Sequence, residues 1–329
     1  MDVCRIVAQY RDAYRVSTSS GDRHAVLAGR LRHQTTHGSD LPAVGDFVEV
    51  RPPERDGPVI IEAVLPRKTL LVRRAAGDRP DDQVIAANID VVFVVVGLDL
   101  DFNIRRVERY LAAVWESGAT PVVLLNKSDV CGDADAKLEE LRRVAIGVEV
   151  HVVSALTSQG LEVLQPYLKE GVTTSFVGSS GVGKSTLLNR LLGRDAQPTK
   201  EVRAHDSRGR HTTTHRELFV LPGGGFVIDT PGMREFQLAL SGDDGVGDVF
   251  EDIEALAANC RFTDCAHRGE PGCAVRDAVE RGQLGADRLA SYEKLLKELR
   301  YEEARHDPAA ARERKRIGRI GAKALRKMS

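Results

Sequence analysis

Apolar and polar residues alternate over short runs through residues 1–85, as in RHAVLAGRLR (Arg23–Arg32) and VGDFVEV (Val44–Val50), and turns such as PPERDGP separate the runs. A period of two places one side of each run inward, so the pattern predicts several short antiparallel strands forming a small barrel or sandwich. Near Ala86 the pattern changes. The run IDVVFVVVGL (89–98) is apolar throughout and suits a strand buried on both faces. Helical periodicity follows at about 103–118, then a strand at 121–125, a helix at 133–145, a strand at 148–153, a helix at 160–170, a strand at 173–178 and a helix opening at Lys184–Leu192. ELFVL (217–221) and GFVID (225–229) complete the strands. Such alternation predicts a parallel sheet covered by helices. Beyond Gly242 the chain becomes loop-rich and then helical. Residues 288–306 place apolar positions at helical spacing among charges that read as a solvated face.

Composition narrows the classes of function without choosing one. Apolar content of 42% with 29% charged residues fits a soluble globular chain. The run Val91–Leu98 is far too short to span a bilayer. The beginning, MDVCRIVAQYRD, lacks the apolar stretch of a secretory signal, so no membrane association and a cytoplasmic location are expected. The 47 basic and 48 acidic residues leave a net charge of −1, so any nucleic-acid signal must be local. The end, 312–329, is strongly basic and is the better electrostatic candidate. Residues 1–85 hold only Tyr10, Tyr14 and Phe47 as aromatics, which does not support base stacking.

Gly178-Ser179-Ser180-Gly181-Val182-Gly183-Lys184-Ser185-Thr186 fits the G-x-x-x-x-G-K-[ST] pattern, after a predicted strand and before a predicted helix. In that context backbone N–H groups and the helix N-terminus would cradle phosphates. Lys184 would reach the β- and γ-phosphates and Ser185 would ligate Mg²⁺. Asn126-Lys127-Ser128-Asp129 stands at the end of an apolar strand. The Asp129 carboxylate can accept from N1–H and the 2-amino group of guanine, donors that adenine lacks. Asn126 would brace the loop, and the Lys127 stem would cover one face of the base. Ser154-Ala155-Leu156, after another strand, matches a loop that meets the guanine oxygen through backbone N–H. Asp229-Thr230-Pro231-Gly232 follows a strand: Asp229 would hold Mg²⁺ through water and the Gly232 N–H would meet the γ-phosphate. One of Thr212, Thr213 or Thr214 in GRHTTTH would be a further Mg²⁺ ligand. Met233 follows this motif and cannot orient a water, which leaves His211 as the nearest polar candidate for that task, with Lys184 the other candidate catalytic residue.

Three of the five cysteines, Cys260, Cys265 and Cys273, gather around His267. Three thiolates and one imidazole suit a closed tetrahedral Zn²⁺ site, structural because no position stays open for a substrate. Metal binding would supply folding energy to the polar, turn-rich segment around them.

The base-reading tetrapeptide precedes the cradle, an order opposite to that of ordinary GTPases. NKSD, SAL, GSSGVGKST, HTTT, DTPG and then Cys-x4-Cys-x-His-x5-Cys, behind a small β-rich domain containing LPAVGDFVEV and VLPRKTLLVR, closely resemble the ribosome small-subunit-dependent GTPases of the RsgA/YjeQ family over essentially the whole chain. The resemblance implies an OB-like barrel at 1–85, a circularly permuted P-loop GTPase domain at 86–240, a helical zinc-binding domain at 241–311 and a basic tail at 312–329. It also implies one structural Zn²⁺, and Mg²⁺ with GTP. The partners it implies are the small ribosomal subunit and its rRNA, with GTP hydrolysis stimulated by that subunit late in its maturation. A switch-region histidine in the role of the missing Gln would fit His211. A monomer is expected. Two rivals are a nucleotide-gated RNA-binding module whose hydrolysis is incidental and a signalling or membrane GTPase; the absence of a lipid or membrane segment in the sequence disfavours the second.

Overall fold

The computed structural model describes residues 1–10, 13–34, 38–53, 57–74, 82–99, 101–193, 216–229, 246 and 249–306. They fall into two compact units, Met1–Ala239 and Leu240–Ser329.

The first unit opens with β1 (Asp2–Gln9), β2 (Tyr14–Thr18), β3 (Gly21–Leu27), α1 (Gly29–Gln34), β4 (Phe47–Arg51) and β5 (Val59–Val64). The pairings β1–β2, β2–β3, β3–β5, β5–β4 and β4–β1 close a ring, so these strands form a barrel with no free edge. Ile6, Val16, Ala25, Val48 and Ile61 fill it, all with no exposed surface. Two expectations are corrected. The β3–β5 pairing is parallel, because closing the ring with a strand reached through a crossover requires it. The run Arg23–Arg32 also splits into a strand and the short helix α1 rather than one strand. Its alternation ends at Gly29, where the chain must leave the ring.

A hairpin of β6 (Leu70–Arg74) and β7 (Asp82–Ala87) leads out of the barrel. The chain then forms β8 (Val91–Gly97), α2 (Ile104–Glu116), β9 (Thr120–Asn126), α3 (Ala134–Arg142), β10 (Glu149–Val152), β11 (Thr173–Val177), α4 (Lys184–Leu192), β12 (Arg216–Val220) and β13 (Phe226–Asp229). Strands β10, β9, β8, β11 and β13 are parallel neighbours in that order, and β12 joins β13 antiparallel. Every residue of β8 and β11 is buried, as strands covered on both faces must be. Asn103 caps α2 by accepting the Arg106 N–H. The segment expected as a helix at 160–170 is instead a 3₁₀ turn over Leu161–Tyr167. Pro166 lies inside it, and its missing N–H and fixed ring disfavour a regular α-helix there.

The barrel and the parallel sheet are one continuous sheet, joined at β1 and β12. Residues 2–5 of β1 pair with β4, whereas Ala8 and Gln9 pair with Glu217 and Arg216. A register shift against β2 between Ile6 and Ala8 lets the strand bend from one set of partners to the other. Arg5 seals the junction: it donates to Thr173 Oγ1 at 2.7 Å and lies over the rings of Phe47 and Phe226.

The second unit contains α5 (Glu251–Ala257), α6 (Ala274–Glu280) and α7 (Ala286–His306). Its core gathers Phe250, Ile253, Val275, Leu289 and Tyr292. The expectation of a uniformly solvated charged face on the last helix is corrected at Arg288. That side chain is 7% exposed, forks onto both Asp252 oxygens at 2.8 and 2.9 Å, donates to Val249 O and lies over Phe250. A planar guanidinium can be buried this way because a carboxylate and a carbonyl take up its donors. Among the described residues, no helix is long and apolar enough to cross a membrane.

Candidate functional site: a nucleotide cradle and a cysteine–histidine cluster

The carboxyl ends of β8, β9, β11 and β13 point to the same end of the sheet, where ligands of open α/β sheets bind. Residues 178–183 leave β11 there, and Lys184 begins α4. Lys184 Nζ folds over the loop and donates to the carbonyls of Gly178 at 2.6 Å and Ser179 at 2.7 Å. Ser180 and Gly181 are exposed at the rim, Val182 is anchored in the core, and Lys184, Ser185 and Thr186 are half-buried at the helix start. Asp229 ends β13, whose residues pair in register with β11, so its backbone lies beside the strand that feeds the cradle.

Asn126 ties the site together. It is 2% exposed, its Nδ2 donates to Val182 O of the cradle at 2.6 Å, and its Oδ1 accepts the Ala155 N–H at 2.8 Å. One amide thus holds both the cradle and the loop after β10, using donor and acceptor at once. Gly183 makes the approach possible. It sits at φ +104°, and a Cβ there would lie 2.2 Å from Asn126 Nδ2. Next to Asn126, Lys127 adopts the left-handed conformation at φ 69°. Asp129 accepts from Ser154 Oγ at 2.5 Å, and the same hydroxyl accepts the Thr157 N–H.

The structure therefore brings together Asn126, Lys127, Asp129, Ser154, Ala155 and the cradle from Gly178 to Thr186, although the chain carries them in reversed order. His211, Thr212, Thr213, Thr214 and Gly232 lie outside the described residues. Sequence reading missed Arg190, which donates to the carbonyls of Ala155 at 3.1 Å and Leu156 at 2.8 Å and so holds the Ser154–Leu156 loop against α4. Nothing in the local pattern marks it, because its partners come from a distant loop.

A second site lies in the second unit. The ligand atoms of Cys260, Cys265, His267 and Cys273 all fall within 4.8 Å of one another. Nδ1 of His267 lies 3.7 Å from Cys260 Sγ and 3.4 Å from Cys273 Sγ, and the two sulfurs are 4.0 Å apart. A tetrahedral centre with metal–sulfur bonds of ~2.3 Å separates its ligand atoms by roughly 3.7 Å, so these four residues could hold such an ion. Cys273 is the N-cap of α6, where its sulfur accepts the Arg276 N–H. Arg276 Nε also donates to the carbonyl of His267. The Glu270 carboxylate gathers the N–H groups of Ala266, Arg268 and Gly269, shaping the loop between the ligands. Its own N–H, then those of Arg268, Ala266 and Gly269, hold the Glu270 carboxyl at about 2 rather than 4.5.

A family model described as RsgA GTPase matches residues 64–239. The chain is 50% identical to the small ribosomal subunit biogenesis GTPase RsgA 2 of Lactiplantibacillus plantarum, over 91% of its own length and 83% of that protein. The chain belongs to the RsgA GTPase family. The RsgA of Opitutus terrae, also termed a small ribosomal subunit biogenesis GTPase, is 49% identical over 94% of this chain and 86% of that one. Among solved structures, YjeQ from Thermotoga maritima matches with a TM-score of 0.67 and 29% identity, covering 90% of this chain and 98% of the other. YloQ, described as a circularly permuted GTPase, shares the fold with a TM-score of 0.65. RsgA membership accounts for the architecture: a five-stranded barrel, then a GTPase domain in which β9, ending at Asn126, precedes β11, which leads into Gly178, in the chain while lying next but one to it in the sheet.

Proposed function

We propose that this chain binds and hydrolyses GTP and acts in the biogenesis of the small ribosomal subunit, with that subunit and its rRNA as partners. The observation that carries the reading is Asn126, which fastens a guanine-type loop to a phosphate-type cradle within one site. Family membership and the names of the relatives support the ribosomal assignment.

In this reading Asp129 accepts from guanine, Lys127 covers the base and the Ala155 region meets the guanine oxygen. The Gly178–Gly183 backbone and the α4 N-terminus bind the phosphates. Lys184 leaves the loop carbonyls to meet the β- and γ-phosphates, and Ser185 and Asp229, the latter through water, would hold Mg²⁺. When bound, Mg²⁺ would supply charge neutralisation at the transferring phosphoryl group; positioning is left to the chain. One of Thr212, Thr213 or Thr214 would be a further Mg²⁺ ligand, Gly232 would meet the γ-phosphate and His211 would place the water. GTP and GDP must differ in the surface they stabilise for the nucleotide to control subunit binding. The cysteine–histidine cluster holds one structural Zn²⁺. A cytoplasmic location follows from a ribosomal partner.

The GTPase rate of the full chain, with and without purified small subunits, tests this. Alone the chain turns over at roughly 10⁻⁴–10⁻² s⁻¹, as unassisted GTPases do, and the subunit accelerates it. GTP-dependent subunit binding with no acceleration would favour a nucleotide-gated binding module instead.

A further inference from the structure

The turn between β8 and α2 carries charged groups that the nucleotide motifs do not explain. Asp99 Oδ2 lies 2.6 Å from the Lys127 ammonium, and its Oδ1 accepts the Asp101 N–H at 3.1 Å. The Asp101 carboxylate accepts from Arg106 Nη1, and that same nitrogen donates to Ser179 Oγ in the cradle. Asp99, Asp101 and Arg106 thus connect the base-reading loop to the phosphate loop along a route separate from Asn126.

The backbone is built for this arrangement. Gly97 pairs with Asn126 in the sheet, and the Leu98 N–H donates to Asn126 O at 2.8 Å, so the turn starts from the end of the base-reading strand. A Cβ at residue 97 would lie 2.5 Å from Asp99 Oδ1. A side chain at 97 would push that carboxylate away from its place beside Lys127. On the far side Lys137 Nζ donates to Leu98 O at 3.1 Å and closes the turn.

We infer that this turn is a positioning element of the nucleotide site: Asp99 sets Lys127 over the base, and Arg106, braced by Asp101, sets the cradle through Ser179. The inference rests on the GTP reading above. Lys127 has a long flexible stem whose rotamer freedom is lost when it lies flat on a base. An anchor on its ammonium removes part of that loss before the nucleotide arrives, which is preorganisation. The Asp99 and Lys127 side chains are 36% and 29% exposed, so water moderates the pair and its contribution is modest. GDP and GTP share the base, so Asp99 acts on both.

The test measures the affinity of the full chain for fluorescent GDP and a non-hydrolysable fluorescent GTP analogue. Asp99→Asn weakens both by about fivefold, at nearly constant GTP-to-GDP ratio, and Asp99→Glu recovers part of the loss. In a Lys127→Ala background Asp99→Asn has little further effect, and Arg106→Ala has little further effect in a Ser179→Ala background. A merely structural role would leave each pair of effects additive. Additivity in either cycle, with wild-type binding intact, overturns the inference alone. A wild-type chain that binds neither nucleotide overturns the GTP reading and this inference with it.

Discussion

Asn126 is the residue at which the site closes, and Gly183 is the residue that lets it. A methyl group at 183 would sit 2.2 Å from Asn126 Nδ2 and would have to be carried at φ +104°. Gly183→Ala is therefore expected to abolish measurable GTP binding by separating Asn126 from Val182, while circular dichroism reports retained helix content. At Asp129 the prediction concerns choice of base. Asp129→Asn exchanges an acceptor for a donor and weakens GTP by up to about 10⁴-fold, with xanthosine triphosphate binding recovered, as competition titration can measure. Equal GTP affinity in the variant would remove Asp129 from base reading. These residues were legible because the tetrapeptide and the cradle each have a spacing set by local backbone chemistry. Asp99, Arg106 and Arg190 were not. Each acts on a partner remote in sequence, and a lone Asp or Arg in a helix or turn looks like any solvated charge.

Among the elements, the cysteine–histidine loop is the one whose proposed metal can be tested directly. Its four candidate ligands were readable from residue type and count, and the structure brings their ligand atoms within 4.8 Å of one another. The role of Glu270 was not readable, since a carboxylate in a polar loop is the commonest of surface residues. Elemental analysis should find one zinc per chain, and removing it with a chelator should melt the segment around Cys260–Cys273, seen as accelerated amide exchange there. Glu270→Gln should speed zinc loss to a chelator several-fold at neutral pH. The sign of its pH dependence follows from a lowered pKa. The charged Glu270 supports the loop fully above about 4.5, and that support is lost as pH falls from 4.5 towards 2. The parallel β3–β5 pairing and the 3₁₀ turn at Leu161–Tyr167 were misread for a related reason. Hydrophobic periodicity reports which face is buried, but not strand direction or how Pro166 and its surroundings tighten a turn.

At the scale of the whole first unit, the barrel and the GTPase domain share one sheet through β1 and β12. Arg5, Arg15 and Arg216 guard that seam: Arg15 pairs with Glu217, and Arg216 Nη1 donates to Gln9 at 2.9 Å and to Val84 O at 2.7 Å. Arg5→Ala removes three hydrogen bonds from a guanidinium and two ring contacts, and should cost about 2–4 kcal/mol in urea unfolding. If the seam couples the two parts, the single transition expected of the unit should broaden or split in that variant. The sequence by itself determined the residue types and spacing of each motif, the burial of β8 and the grouping of the three cysteines with His267, because these depend on neighbours a few residues away. Only the tertiary structure decided that the barrel closes through a parallel pair, that β1 serves two sets of partners and that Asn126 touches Val182. Such contacts join residues far apart in the chain, and their free energy comes from packing and backbone pairing that no local pattern encodes.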